Sequence, residues 1–241
     1  MDVKNETSWC DKGHNLAWAQ FALPCEKEVE TEPEKLSAAV CDTRRYLNIK
    51  AGNYDYTVDK ATGLICSMKK NGKEMLSRPA DFIIWRAMTD NDSNIGTGMK
   101  QVWEAEHFHK TYHKPHTVEF CLKDTECVVN IDSVIGANSR LPVFYTKIVY
   151  TFSSNGVEVS IHAEKNALLK AMNRSSSEET NLDIHRKTEI DEIPRFAMRF
   201  ALLPEFESLE YFGKGDRECY IDYQEHAKMG VWESTVSKEY E

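Results

Sequence analysis

The stretch Asp90-Asn91-Asp92-Ser93-Asn94-Ile95-Gly96-Thr97-Gly98 carries two carboxylates, two amides, two hydroxyls and two glycines. It follows a short apolar run, Phe82-Ile83-Ile84-Trp85, and the residue Arg86. A strand that stops and releases so many hydrogen-bonding groups suits a sugar or a cation better than it suits a core. Asp and Asn also start turns for local reasons, because their side chains bond nearby backbone N–H groups. A ligand-facing loop and a well-capped loop are therefore both open. Asp90 and Asp92 stand too close in sequence to flank a sugar ring from opposite faces as an acid pair. On an extended chain they share one side, which suits hydrogen bonds to hydroxyls or to a cation. Asp90, Asn91, Asp92, Gly96 and, just beyond the loop, Trp103 are its candidate site residues, with Arg86 at its entrance.

A second unusual stretch is Tyr211-Phe212-Gly213-Lys214-Gly215-Asp216-Arg217-Glu218-Cys219-Tyr220-Ile221-Asp222. Two glycines two apart allow a tight bend, and aromatics surround Glu218 and Asp222. Aromatic faces with carboxylates could hold a sugar through Glu218, Tyr220 and Asp222; a turn packed by Tyr and Phe is the plainer reading. Glu104, Glu106, His107, His109, His113 and His116 also lie close together. In a strand His107 and His109 would point the same way, yet no second ligand pair at zinc-motif spacing accompanies them, so no metal is expected. There is no Gly-x-Ser-x-Gly elbow and no phosphate-cradling glycine loop.

The 241 residues suffice for one large β domain or two smaller ones, and 41% hydrophobic residues allow a sizeable core. A net charge of −9 argues against nucleic acid and against an anionic membrane surface. No apolar run approaches the length of a membrane span. Seven cysteines without regular spacing read as reduced thiols of a cytoplasmic protein.

Leu16 to Leu23 alternates and is stopped by Pro24, which reads as a strand completing a sheet built elsewhere. Glu26 to Lys35 is dense in like charge and stiffened by Pro33, so residues 26–45 read as a linker after a short β segment, residues 1–25. From Tyr46 onward strands and turns alternate. Tyr54, Tyr56 and Val58 share a face; so do Val118, Phe120 and Leu122; Val129, Ile131, Ser133 and Ile135; Phe144, Ile148, Tyr150 and Phe152; Val157, Val159, Ile161 and Ala163; and Phe196, Met198, Phe200 and Leu202. Asn71-Gly72 between two runs is the strongest hairpin signal, because both residues tolerate positive φ. The pattern predicts an all-β chain, with residues 46–241 forming a large antiparallel β-sandwich.

Several stretches, in order, resemble the C-terminal part of a glycoside hydrolase family 2 β-galactosidase. Gly13-His14-Asn15-Leu16-Ala17-Trp18-Ala19-Gln20-Phe21 is similar to the closing strand of the family's immunoglobulin-like domain. Asp59-Lys60-Ala61-Thr62-Gly63 and Gly72-Lys73-Glu74-Met75-Leu76 resemble the opening hairpins of its last large sandwich. Arg86-Ala87-Met88-Thr89-Asp90-Asn91-Asp92 resembles its Arg-Ala-x-x-Asp-Asn-Asp segment. Tyr211 to Asp222 resembles its Tyr-Gly-x-Gly-x-x-Glu-x-Tyr-x-Asp segment, with Cys219 where Asn is usual. Ser93-Asn94 stands as an insertion before Ile95-Gly96.

The resemblance implies a galactose-mutarotase-like supersandwich, preceded by the last strand of the immunoglobulin-like domain and cut short at its C-terminus. It also implies a non-catalytic, carbohydrate-bordering role in an enzyme acting on galactosides. The catalytic glutamates and the Mg²⁺ ligands of the family lie in an upstream barrel, so this chain is expected to hold no cofactor. Its expected partners are the galactoside, the rest of its own polypeptide and further copies of the enzyme. The alternative is a free-standing carbohydrate-binding or sugar-epimerising sandwich, which would need a facing His and Glu, such as His107 or His109 with Glu218. A purely structural module that helps subunits pack is the third reading.

Overall fold

The computed structural model describes residues 2–23, 38–93, 99–137, 141–166, 193–215, 219 and 225–238. The chain forms two compact units, Glu32–Leu203 and, from both chain ends, Met1–Thr31 with Pro204–Glu241.

In the larger unit a five-stranded antiparallel sheet runs β1 (Ala39–Asp42), β2 (Tyr46–Ala51), β3 (Tyr54–Asp59), β4 (Leu64–Lys70) and β5 (Lys73–Glu74) in sequence order. It begins at Ala39, inside the stretch read as linker; residues 26–37 of that stretch lie outside the described residues. Asn71 and Gly72 have φ of 53° and 77°, so the β4–β5 hairpin uses the two-residue turn that its sequence predicts. The short β6 (Asp81–Ile83) follows, and then a meander of long strands: β7 (Thr111–Leu122), β8 (Glu126–Ala137), β9 (Pro142–Ser153) and β10 (Gly156–Lys165). The last four pair in the order β10-β9-β8-β7, all antiparallel. β11 (Ala197–Arg199) returns to pair with β6.

The alternation read in the sequence sets the inward faces. Val129, Ile131, Ser133 and Ile135 of β8 and Phe144, Ile148, Tyr150 and Phe152 of β9 are buried. They share one core with Leu47, Ile49, Tyr56, Val58 and Ile65 of the other sheet. The Tyr56 and Phe152 rings lie 4.7 Å apart across it. This is the antiparallel all-β sandwich predicted. Two rows depart from the reading: Phe120 and Leu122 of β7 are exposed rather than inward, and Leu202 forms only an isolated bridge to Leu76 and is also exposed.

Gly63, in the β3–β4 turn, has φ of 69°, and a Cβ there would lie 3.0 Å from Ile131 Cγ2 and 3.3 Å from Pro115 Cβ. Gly63→Ala therefore meets both a left-handed backbone and the opposing sheet. It is expected to destabilise by about 2 kcal/mol, read as a lowered denaturation midpoint.

The smaller unit holds the ribbon β12 (Ser208–Gly215) and β13 (Lys228–Thr235). Two expectations fail here. Leu16–Leu23 forms no strand: among the described residues no ladder pairs with it, and alternation without a partner does not make a sheet. Gln20 imitates one, its amide donating to the Met229 carbonyl (2.7 Å) and accepting from the Met229 N–H (2.8 Å). Gly213 and Gly215 make no bend; both lie within β12. Gly215 clears space for Trp232, whose indole N–H donates to the Gly213 carbonyl at 3.0 Å. A Cβ on Gly215 would lie 2.7 Å from that indole nitrogen. Among the described residues no helix is long and apolar enough to cross a membrane.

Candidate functional site

The apolar run after β6 ends with Ile84 fully buried and delivers Arg86 to the start of the polar loop. The described start of the loop does not stay extended. Residues Asp90–Ser93 make one helical turn, α1, and Lys100–Ala105 make a second short helix, α2. Thr89 caps α1 reciprocally: the Asp92 N–H donates to Thr89 Oγ1 (3.3 Å), and the Asp92 carboxylate accepts from the Thr89 N–H (2.8 Å) and hydroxyl (2.9 Å). This is a capping box with Asp at its third helical position.

Arg86 completes the arrangement. Its guanidinium grips Asp92 through two bonds, Nη1 to Oδ2 at 2.6 Å and Nη2 to Oδ1 at 3.1 Å. Its Nε donates to the Pro194 carbonyl at 3.0 Å, and its Cζ lies over the Trp103 ring, 5.7 Å from the ring centre. Both charged side chains are mostly buried. Burial alone pushes the Asp92 carboxyl upward, but the Thr89 and Arg86 hydrogen bonds outweigh it and hold the group below the usual carboxylate range.

The structure thus separates residues that the sequence grouped. Asp90 and Asp92 do not share a side: the helical turn points Asp92 inward onto Arg86 and leaves Asp90 and Asn91 exposed. Trp103, on α2, is only 2% exposed and packs in the core, so its ring offers no open face. Gly96, Glu218, Tyr220 and Asp222 lie outside the described residues. His107 is not in a strand; it has φ of 58° in the turn after α2, with its ring 5.9 Å from that of His109, which meets Trp85 edge-on at 5.3 Å. Among the described residues no three His, Cys, Asp or Glu side chains gather as metal ligands would. Sequence reading overlooked Thr89, although the Thr-x-x-Asp spacing before a polar turn is a capping pattern. Pro194, more than a hundred residues from Arg86, gave no local signal.

Comparison with known proteins adds the family. The model of the β-galactosidase small chain matches residues 50–241. A β-galactosidase of Actinobacillus pleuropneumoniae is 27% identical over 239 residues, covering 98% of this chain and 21% of the relative. One from Lactobacillus delbrueckii subsp. bulgaricus is 27% identical over 241 residues, 99% of this chain and 21% of the relative. A third, from Kluyveromyces lactis, is 24% identical over 241 residues, 99% of this chain and 22% of the relative. The chain spans about a fifth of the length of these relatives. With a match running through both the sandwich strands and the Arg86–Asp92 segment, the chain belongs to the β-galactosidase small chain family.

Proposed function

We propose that this chain is the non-catalytic, sugar-bordering part of a β-galactosidase that hydrolyses terminal β-D-galactosides. The observation that carries the reading is the small-chain match over residues 50–241, in a chain a fifth as long as its relatives. The bond-breaking carboxylates and the Mg²⁺ that the resemblance implies belong to the rest of such an enzyme. No ligand set for that ion gathers among the described residues.

What this chain contributes is position. The Arg86–Asp92–Thr89 clasp fixes the stem of the polar loop through charge-assisted bonds and leaves Asp90 and Asn91 turned outward, where they can accept and donate to sugar hydroxyls. A hydrogen bond to a neutral hydroxyl contributes about 0.5–1.5 kcal/mol, so Asp90→Ala or Asn91→Ala in the full-length enzyme should lower kcat/KM on a galactoside about two- to tenfold. Stability should stay unchanged. Unaltered kinetics in both variants would remove these residues from the sugar site. Hydrolysis of a galactoside by the purified 241-residue chain alone would overturn the non-catalytic reading.

A further inference from the structure

A directed run of hydrogen bonds holds the β3–β4 turn of one sheet against the other. His113 Nδ1 lies 2.6 Å from the Thr62 carbonyl oxygen. A carbonyl only accepts, so the ring proton sits on Nδ1. In the neutral ring Nε2 is then an acceptor, and the Ser133 hydroxyl donates to it across 2.7 Å. Ser133 Oγ in turn lies 2.6 Å from Thr146 Oγ1, and accepts from it. The Tyr150 hydroxyl donates to the neighbouring Gly63 carbonyl at 3.3 Å. Two successive carbonyls of the turn are therefore gripped from β7 and β9. Ser133, Thr146 and Tyr150 are buried, and the Phe82 ring covers the imidazole at 4.9 Å.

The charged groups on the surrounding elements are committed elsewhere. In the turn, Asp59 pairs with Arg45 at 3.1 Å and Lys60 with Asp42. On β6, Asp81 pairs with Arg199 at 2.6 Å. On β8 and β9, Asp132 and Lys147 are register partners on the face opposite Ser133 and Thr146, and Asp132 accepts from Thr117 at 3.3 Å. On β7 itself, Lys114 is exposed. An imidazolium at position 113 would thus be a largely desolvated cation with no carboxylate facing it. A proton on Nε2 would also turn that acceptor into a donor, so the Ser133 hydroxyl would lose the ring as its acceptor and have to turn its proton toward the Thr146 carbonyl oxygen, 3.4 Å away.

We infer that His113 is a proton-operated latch: neutral, it pins the β3–β4 turn to the four-stranded sheet; protonated, it lets the turn go. Burial holds His113 below the ordinary histidine range, with the Thr62 hydrogen bond opposing it only in part. The released imidazole, near its unperturbed pKa of about 6.5, binds the proton first. Docking is therefore complete above that pH and is lost as pH falls from it toward the docked value.

The test is hydrogen exchange of residues 59–66 in the full-length protein between pH 7.5 and 5.0, corrected for intrinsic exchange rates. Wild-type protection should fall about tenfold for each pH unit by which the docked and released pKa values differ. His113→Gln, which cannot titrate, should show flat protection. Ser133→Ala removes the donor that favours the neutral ring, so its release midpoint should move to higher pH. Identical pH profiles for wild type and His113→Gln would overturn the latch. Should His113→Gln fail to fold, an unmoved midpoint in Ser133→Ala would overturn it alone.

Discussion

Trp103→Ala is expected to destabilise the larger unit by about 3–5 kcal/mol, the cost of deleting a fully packed indole and leaving a cavity. The ring is 2% exposed, shares the core with Met99, Phe108 and Ile84, and supplies the face on which the Arg86 guanidinium rests. Removing it empties space and loosens the clasp at once. Trp103→Phe keeps an aromatic face and should lose less, within about 1–3 kcal/mol. Denaturant midpoints of the two variants, read beside their galactoside kinetics in the full-length enzyme, check this. A nearly neutral Trp103→Ala with a large rise in KM would instead make the ring a sugar platform.

The second large effect is at Asp92. Asp92→Ala strands the Arg86 guanidinium, mostly buried, without its bidentate partner, and it frees the Thr89 N–H and hydroxyl. A loss of about 3 kcal/mol is expected. Asp90→Ala, on the exposed side of the same helical turn, should stay within about 0.5 kcal/mol. Two carboxylates two residues apart thus differ: Asp92 is held in the fold and Asp90 is exposed. The pH dependence follows with its sign. Because the folded Asp92 carboxyl is held below its usual value, its contribution is complete above the unfolded pKa of about 3.9 and is lost as pH falls through the folded value. Denaturation midpoints of wild type and Asp92→Ala should therefore converge below about pH 4. Parallel curves down to acid would show that the ion pair contributes nothing.

The central strands of the sandwich were legible because each has one buried face. A period of two in Val129, Ile131, Ser133 and Ile135 has a single physical solution once a second sheet covers it. The Asn71-Gly72 turn was legible because few residues tolerate two positive φ values in succession. Failures came where the deciding partner is distant or absent. Gly213 and Gly215 read as a bend because glycine permits one; what Gly215 serves is Trp232, on the paired strand. Leu16–Leu23 alternates like a strand, yet only a ladder makes it one. At the loop, the local part of the arrangement was within reach, since Thr89 and Asp92 sit at capping distance. The choice between ligand-facing and loop-shaping roles was not, because it depends on where Arg86 points, and that is fixed by Pro194 and Trp103.

β6 and β11 join chain segments more than a hundred residues apart, through the pairs Ala197↔Ile83 and Arg199↔Asp81 and the nearby Arg86–Pro194 bond. Closing so long a loop costs entropy before any contact repays it, whereas β7 to β10 are successive hairpins that can zip locally. The order of assembly within the larger unit follows: the meander forms early, and the short β6–β11 seam, with the clasp beside it, closes after it. A nascent chain would carry a finished four-stranded sheet while the stem of its polar loop still awaited residues yet to leave the ribosome.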